Sequence, residues 1–120
     1  MLTDHHDGHG LNESIIIEHD PRDVEKGGGA SHYYSCAIAG RPVATIQFQH
    51  GPRDVAGSRP GMTEAALMAI LIDRLRAFQA GPYSCRENAI QLTKLEEALH
   101  WTRARADARA ARGVLGKNEK

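Results

Sequence analysis

Three arginines near the end of the chain form a pattern that suits an anionic ligand. Arg105, Arg109 and Arg112 stand at i, i+4 and i+7 of a stretch with helical periodicity, so a helix would place them on one face. A guanidinium presents paired N–H donors to phosphate oxygens, and each charge-assisted bond contributes roughly 1.5–3 kcal/mol. Arg103 and Asp107 stand at i, i+4 and can pair with each other, which leaves the other three arginines freer. The alternative is a solvated basic face at a helix C-terminus, where positive charge suits the helix dipole.

Phe78 and Asn88 are a second candidate site. Phe78 closes one predicted helix and Asn88 opens the next, so a short connection would bring them together. An aromatic ring beside an amide suits a purine, which stacks on the ring and hydrogen-bonds through its edge. The alternative is that Phe78 is a core residue and Asn88 only caps its helix.

The remaining polar residues give no pattern of catalysis. His5, His6 and His9 stand near Asp7, but they lack a partner cluster at the spacing of a closed metal site. No Ser, Cys or carboxylate stands in a recognisable nucleophile or acid–base motif. We therefore predict a binding protein that is not an enzyme and needs no metal or cofactor.

The elements that must position these residues divide the chain into a strand-rich and a helix-rich half. Residues 1–11 are rich in Asp, His and Gly, which predicts a disordered tail. Strands are predicted at 14–19, 32–39 and 43–49, with Gly40, Arg41 and Pro42 forming a turn. In the third, Val43, Thr45, Gln47 and Gln49 alternate with Ala44, Ile46 and Phe48, which indicates one apolar face. Short strands joined by tight turns predict a small antiparallel sheet.

The helix-rich half reads as an antiparallel hairpin over about residues 63–113. Thr63 is the predicted N-cap of a first helix ending near Ala80, before Gly81 and Pro82. One stripe of this helix follows at steps of three and four and consists of Leu67, Ile70, Leu71, Arg74, Leu75 and Phe78. Ser84 and Glu87 fit a capping box for the second helix. The expected fold is therefore α+β, a sheet of about three strands followed by a long helical hairpin, with residues 12–120 in one domain.

The two predicted helices differ in length. The first has about 17 residues and the second about 28, or about 42 Å at 1.5 Å per residue. The second would overhang by roughly three turns, and an unsupported helix that short is marginal in water. We expect another copy of the protein to pack on the overhang, which predicts a homo-oligomer.

Composition and charge narrow the class of partner. The 120 residues carry no net charge, which argues against a nucleic-acid polymer because phosphate backbones require a broad basic surface. Residues 1–25 nevertheless hold seven acidic residues and one basic, and residues 101–120 hold six basic and two acidic. This asymmetry favours an anionic ligand or pairing of the two ends in an oligomer. The chain lacks a secretory signal and an apolar run near the roughly 20 residues of a membrane span, so we expect a cytoplasmic protein with no membrane partner. Cys36 and Cys85 are expected to be reduced thiols.

Several segments resemble the phage anti-Thoeris sponge family, which shares a helical hairpin with the phage anti-CBASS sponges. They are residues 48–52 (FQHGP), 72–75 (IDRL), 78–79 (FQ), 81–83 (GPY), 86–89 (RENA), 92–98 (LTKLEEA), Trp101 and 112–114 (RGV). The resemblance runs from about residue 32 to the end, and residues 86–98 are its most specific part.

The resemblance implies a function without catalysis in the cytoplasm of the bacterial host. Members bind immune second messengers of bacterial TIR-domain proteins, chiefly glycocyclic ADP-ribose isomers, and withhold them from the effector. Some also take up CBASS cyclic oligonucleotides at separate sites in a hexamer. By position, the stacking aromatic falls on Phe78, the base-reading residue on Asn88, and the phosphate-binding arginines on Arg105 and Arg109, with Arg112 a further candidate.

The chain also departs from the family pattern. Residues 57–61 (GSRPG) stand where the family has a G-V-N-G-like loop, and residues 114–117 (VLGK) where it has a V-E-G-T-like tail. The first departure bears on loop contacts and on the preferred isomer. The second bears on a subunit contact of the expected oligomer, which is a dimer or a hexamer. Two other functions remain open, namely a phage structural or regulatory oligomer without a small ligand, and a nucleotide-cleaving enzyme.

Overall fold

The protein, seen here in a computed structural model, is described over residues 1–22, 24, 28–49 and 60–113. A three-stranded antiparallel sheet precedes two helices, which confirms the predicted α+β class and helical hairpin. The chain divides into two compact units, Met1–Met62 with the sheet and Thr63–Lys120 with the helices. That residues 12–120 form one domain stays a prediction. Residues 57–59 and 114–117, where the sequence departs from the family pattern, lie outside the described residues.

The sheet consists of β1 (Ile15–His19), β2 (Tyr33–Ile38) and β3 (Arg41–Gln47), hydrogen-bonded in that order. On β3 the predicted alternation holds in part, because Ile46 is half-buried while Val43 is 55% exposed. The β2–β3 turn is Ala39-Gly40, with φ angles of 50° and 78°. Positive φ at both central residues is typical of a two-residue type I′ hairpin.

The turn we predicted at Gly40, Arg41 and Pro42 is therefore misplaced. Ala39 adopts a left-handed conformation that its Cβ disfavours, so the sequence carries no signal for it. Pro42 lies inside β3 opposite Ala37, where the strand register shifts. A proline is tolerated there because an irregular edge position needs no N–H donor.

Residues 1–14, here called the N-terminal strap, run beside the outer edge of β1. The Leu2 N–H donates to the Ile17 carbonyl at 3.0 Å, and a ring nitrogen of His5 lies 2.7 Å from the Ile15 carbonyl. Edge carbonyls of this kind would otherwise be open to pairing with another strand. The strap thus covers part of a free sheet edge.

A carboxylate holds the strap in its bend. Glu13 accepts hydrogen bonds from the backbone N–H groups of Asp7, Gly8 and Gly10 at 2.5, 2.9 and 2.6 Å. These bonds, led by the one from Gly8, stabilise the ionised form and lower the pKa of Glu13 from 4.5 to about 2. The predicted disorder of residues 1–11 stays a prediction, and in the structure this segment has the turn just described.

The hairpin consists of α1 (Glu64–Gln79) and α2 (Arg86–Ala111). The predicted N-cap Thr63 is confirmed, since its Oγ1 accepts from the Ala66 N–H at 3.1 Å. The predicted Ser84 cap is wrong, because the Ser84 N–H is still engaged in the turn with the Gly81 carbonyl. Cys85 is the N-cap instead, and its Sγ accepts from the Asn88 N–H at 3.4 Å.

The two helices pack through a face of α1 other than the predicted stripe. Ile72 is the buried hydrophobic residue of the described chain, at 3% exposure, whereas Ile70 and Leu71 expose 58% and 48%. Met68 Sδ lies 4.0 Å from Thr102 Oγ1 across the interface. Apolar residues at three- and four-residue steps therefore line two faces of α1, and α2 packs on the face that contains Ile72.

Candidate ligand-binding site

The hairpin turn joins four side chains into what we call the turn cluster, Arg74, Phe78, Tyr83 and Asn88. The Phe78 and Tyr83 rings meet edge to face, with centroids 6.3 Å apart and planes at 82°. The Arg74 guanidinium carbon lies 4.9 Å from the centroid of the Phe78 ring, a cation–π distance. The predicted proximity of Phe78 and Asn88 is consistent with this arrangement, since Asn88 is tied to Tyr83.

Asn88 does not cap its helix with its side chain. Its Nδ2 donates to the Tyr83 carbonyl at 3.4 Å, and its Oδ1 accepts from Gln91 Nε2 at 3.3 Å. Both distances are at the long end of the range for hydrogen bonds. The amide is thus loosely held and half-buried, so a ligand could replace either bond at small energetic loss.

Phe78 is half-buried and is not an enclosed core residue. Its neighbours Arg74 and Tyr83 are both exposed, Tyr83 by 73%. Aromatic rings with an accessible surface are the usual platforms for bases. The turn cluster therefore has the composition of a base-binding site on an open surface.

The second predicted set, Arg105, Arg109 and Arg112, is here called the arginine face. Arg105 and Arg112 are exposed, and Arg112 is the C-cap of α2. Arg109 is only 8% exposed and is already engaged in interactions. The three side chains share a helix face, but only Arg105 and Arg112 present their guanidiniums to solvent.

The burial of Arg109 follows from the periodicity of α2. The residues of α2 that turn away from solvent continue in steps of four and three through Leu92, Leu95, Leu99, Thr102, Ala106 and Arg109. Arg109 is the last member of this seam. The sequence contained this signal, and we missed it because charge, rather than position, guided the prediction. The Arg103–Asp107 pairing that the spacing allows does not form in the structure: the two described residues make no ion pair within 4.0 Å, and Arg before Asp is the weaker order on a helix.

The turn cluster and the arginine face lie at opposite ends of the hairpin. Asn88 and Arg105 are 17 positions apart on α2, which is about 26 Å at 1.5 Å per residue. One small ligand cannot touch both within one copy. The five predicted ligand residues therefore form two groups and not one site.

The overhang of α2 is shorter than predicted. The helices have 16 and 26 residues, but part of the difference lies at the turn. From the Met68–Thr102 contact, equal steps along antiparallel helices bring Glu64 level with about residue 106. The overhanging end of α2 is then about five residues, or about 8 Å, long. Because this overhang is shorter than predicted, it supports the packing of a second copy less strongly than the sequence suggested.

A cleft between the helices lies apart from both groups. It has a volume of about 360 Å³, and its lining includes Ile72, Leu99 and the ion pair of Arg76 Nη2 with Glu96 Oε2 at 2.8 Å. None of the predicted ligand residues lines it. The lining carries two carboxylates, Asp73 and Glu96, beside two arginines, Arg76 and Arg103, so it offers an anion no excess of positive charge from these groups.

Two further features bear on metals and membranes. In the parts of the chain that the structure describes, no three His, Cys, Asp or Glu side chains converge to hold a metal ion. Over the same residues, neither helix combines the length and the apolar character that crossing a bilayer would require. The absence of a required cofactor stays a prediction.

Sequence reasoning missed Arg74 and Tyr83. Arg74 precedes Phe78 by four positions, a spacing that places two helical side chains in contact, so its proximity was available from the sequence. Tyr83 lies in the connection between the helices, whose conformation periodicity does not predict. Both residues belong to the turn cluster.

Comparisons with known proteins agree with the architecture of the hairpin. The family model described as the Acb2/Tad1 hairpin domain matches residues 41–107, which include the turn cluster and Arg105 but not Arg109 or Arg112. The chain is 43% identical over 95 residues to "Thoeris anti-defense 1" of Bacillus phage SBSphiJ7. The alignment covers 79% of this chain and 66% of that relative, just under two thirds of its length.

Proposed function

The chain belongs to the Acb2/Tad1 hairpin-domain family, and on that premise we propose that it is a viral immune-evasion sponge. In this role it binds cyclic nucleotide second messengers of bacterial Thoeris defence, chiefly glycocyclic ADP-ribose isomers, and withholds them without degrading them. The observation that supports the role most directly is its kinship with a phage anti-defence protein. Cyclic di- and trinucleotides of CBASS defence are the second class of ligand we propose to test.

The chemistry of the two groups fits such a ligand. Phe78 stacks on the base, the loosely bonded Asn88 amide reads its edge, and Arg105 binds a phosphate with paired N–H donors. Arg109 contributes a second phosphate contact only after giving up its present interactions, and exposed Arg112 is a further phosphate ligand. A sponge that competes with an effector needs nanomolar affinity, about −12 kcal/mol.

We propose that the working site combines two copies of the chain. The separation of about 26 Å between Asn88 and Arg105 supports a site in which one copy supplies the turn cluster and another the arginine face. Exposed apolar side chains on the hairpin, including Ile70 (58%), Leu71 (48%) and Trp101 (71%), add support because contacts between copies would bury them. The assembly is then a homo-oligomer, a dimer or a hexamer, acting in the cytoplasm of the infected bacterial host. Neither a membrane, a nucleic-acid polymer nor a cofactor takes part.

The direct test is capture and release. Purified protein is mixed with a glycocyclic ADP-ribose, the mixture is ultrafiltered, and the retained protein is heated. A sponge removes the messenger from the filtrate and returns it chemically unchanged on heating. Arg105→Ala should abolish capture, while Arg103→Ala, an exposed arginine off the arginine face, should not.

The other outcomes separate the competing functions. A messenger that returns altered identifies an enzyme. A messenger that stays in the filtrate with the wild-type protein, while Arg105→Glu breaks the assembly, identifies a structural or regulatory oligomer. Either result overturns the proposal for this ligand, and the same assay is then repeated with cyclic di- and trinucleotides.

A further inference from the structure

We infer that the outer edge of β1 is an interaction surface for β1 of a second copy of the chain, and that the N-terminal strap keeps this surface closed. When the strap is opened, two copies pair edge to edge in an antiparallel register with Ile17 at the two-fold axis. The inference concerns the sheet unit alone, so it does not depend on the proposed ligand or on the hairpin.

The backbone groups of β1 point alternately toward β2 and toward the outer edge. The Asp20 N–H donates to the Tyr33 carbonyl at 3.1 Å, which marks the even-numbered positions as the ones that face β2. Successive residues of an antiparallel strand direct their N–H and C=O groups to opposite edges. Ile15, Ile17 and His19 therefore direct theirs outward, where a further strand can bind.

The strap occupies this edge with a small number of bonds. The Leu2 N–H donates to the Ile17 carbonyl at 3.0 Å, and a ring nitrogen of His5 lies 2.7 Å from the Ile15 carbonyl. Leu2 forms an isolated bridge with Ile17 and is not part of a continuous strand. The cover depends on these contacts and on the bend at Glu13, so single side chains decide whether the edge is closed.

The sequence of β1 fits a second copy of itself. With Ile17 opposite Ile17 of the second copy, Ile15 lies opposite His19, so each outward-directed residue meets another one, as antiparallel hydrogen bonding requires. Ile15, Ile17 and His19 are half-buried on one face of β1, and this pairing continues that face across the axis. On the other face Ile16 lies opposite Glu18, so no like charges oppose each other. The interface is isologous, which is the usual form of a two-fold contact.

A purely stabilising role for the strap makes different predictions. Residues 15–17 are three consecutive isoleucines, and an open edge of β-branched residues without charge is prone to pair with another strand. If the strap covers this edge against a second copy, opening it raises the molar mass of the protein. If the strap only stabilises the sheet, opening it lowers the melting temperature and leaves the molar mass unchanged.

The experiment opens the edge in the full-length protein. Leu2→Pro removes the N–H that binds the Ile17 carbonyl, and His5→Ala removes the ring that binds the Ile15 carbonyl. We expect the variant with both substitutions to reach at least twice the wild-type molar mass in light scattering, in a manner that increases with protein concentration. The matched control combines Leu2→Ala, which keeps the N–H, with His9→Ala, which removes an exposed histidine of the same strap. The control should keep the wild-type mass.

Two further substitutions in the open-edge variant test the register. Ile16 is 37% exposed, so the sheet tolerates a charge there. Ile16→Glu sets a carboxylate opposite Glu18 of the second copy and should return the mass to that of the wild type. Ile16→Lys sets an ammonium opposite the same carboxylate and should preserve the higher mass. General solubilisation by charge would instead lower the mass with either substitution.

The results that overturn the inference are distinct. An open-edge variant with a native circular dichroism spectrum and the wild-type mass shows that the strap does not close an interaction surface. A higher mass that both charges abolish, or that neither changes, shows that the copies do not pair through β1 in this register. If the double substitution unfolds the sheet, Glu13→Ala releases the bend of the strap instead, and the same masses are expected with the same two substitutions of Ile16.

Discussion

Asn88 and Arg105 lie on the same helix but about 26 Å apart, so two residues expected to hold one ligand cannot meet in one chain. The relationship follows from the 17 positions between them in α2 and does not depend on side-chain rotamers. A ligand that is held by both residues therefore requires two copies of the chain.

A complementation experiment tests whether two copies of the chain share one ligand. Asn88→Ala and Arg105→Ala should each abolish messenger capture when pure. When the two variants are unfolded, mixed in equal amounts and refolded together, each site draws its turn cluster and its arginine face from different copies. About a quarter of the sites then receive both native residues, since each is native in half the chains.

The control is a mixture of each variant with itself, which should stay inactive. Recovery near one quarter supports the composite site in a dimer or a hexamer alike. Zero recovery from a mixture that has exchanged subunits, checked by mass spectrometry of isotope-labelled chains, would mean that both residues act within one copy.

The elements of the hairpin were predictable because helical periodicity and end signals agree over long segments. Thr63 caps α1 as predicted, and both helices end within about one or two residues of the predicted positions. The exceptions are local. Cys85 replaces Ser84 as N-cap because the turn through Gly81 uses one more residue, and Ala39 adopts a positive φ that sequence rules reserve for Gly and Asn.

The candidate site was predictable only in part, because spacing along a helix shows which residues share a face but not what that face contacts. Arg109 falls on a seam that the sequence contains, yet a buried arginine is rare enough that charge suggested exposure instead. Tyr83 reaches Phe78 through a turn whose path depends on specific backbone hydrogen bonds. The faces of α1 were ambiguous because apolar residues line two of them, and only the packing of α2 selects Ile72.

Glu13 gives the N-terminal strap a pH dependence. Its pKa is lowered from 4.5 to about 2, so the ionised, hydrogen-bonded form contributes stability above pH 4.5. That contribution is lost as the pH falls through 4.5 to about 2. The amide proton resonances of Gly8 and Gly10 should therefore titrate with a midpoint near 2, and Glu13→Gln should shift both at pH 6.

Asp4→Asn is the control for this titration, since Asp4 is an exposed acid of the same strap. It should leave the Gly8 and Gly10 resonances and their midpoint unchanged. A midpoint near 4.5 in the wild type, with random-coil shifts throughout, would show that the strap is disordered, as the sequence alone predicts.

Gly61 is required by the close approach of two backbone segments. A Cβ at this position would overlap the Gln47 carbonyl oxygen and lie 2.6 Å from the Phe48 carbonyl carbon. Neither neighbour is a side chain that can rotate away, so Gly61→Ala should reduce the free energy of unfolding by about 1–3 kcal/mol. Urea denaturation followed by circular dichroism measures the change.

Gly81→Ala serves as the matched substitution. A Cβ there would lie 3.5 Å from the Ala77 carbonyl oxygen, an ordinary contact, so we expect a change within about 0.5 kcal/mol. Equal changes in the free energy of unfolding for the two substitutions would show that the segment around Gly61 can move away from β3 without loss of stability.

Ile70 and Ile72 separate the stability of the hairpin from its assembly, because the same residue type occupies opposite environments. Ile72 is 3% exposed and Ile70 is 58% exposed. Ile72→Ala leaves a cavity between the helices and should reduce the free energy of unfolding by about 2–5 kcal/mol.

Ile70→Asp removes no intrachain packing of that size, but in the proposed homo-oligomer it places a charge where copies would bury apolar surface. We expect Ile70→Asp to lower the molar mass measured by light scattering to that of a monomer, with a native circular dichroism spectrum and without messenger capture. An oligomer of unchanged mass in Ile70→Asp would remove this face of α1 from the interface, and a monomeric wild-type protein that still captures the messenger would contradict the composite site itself.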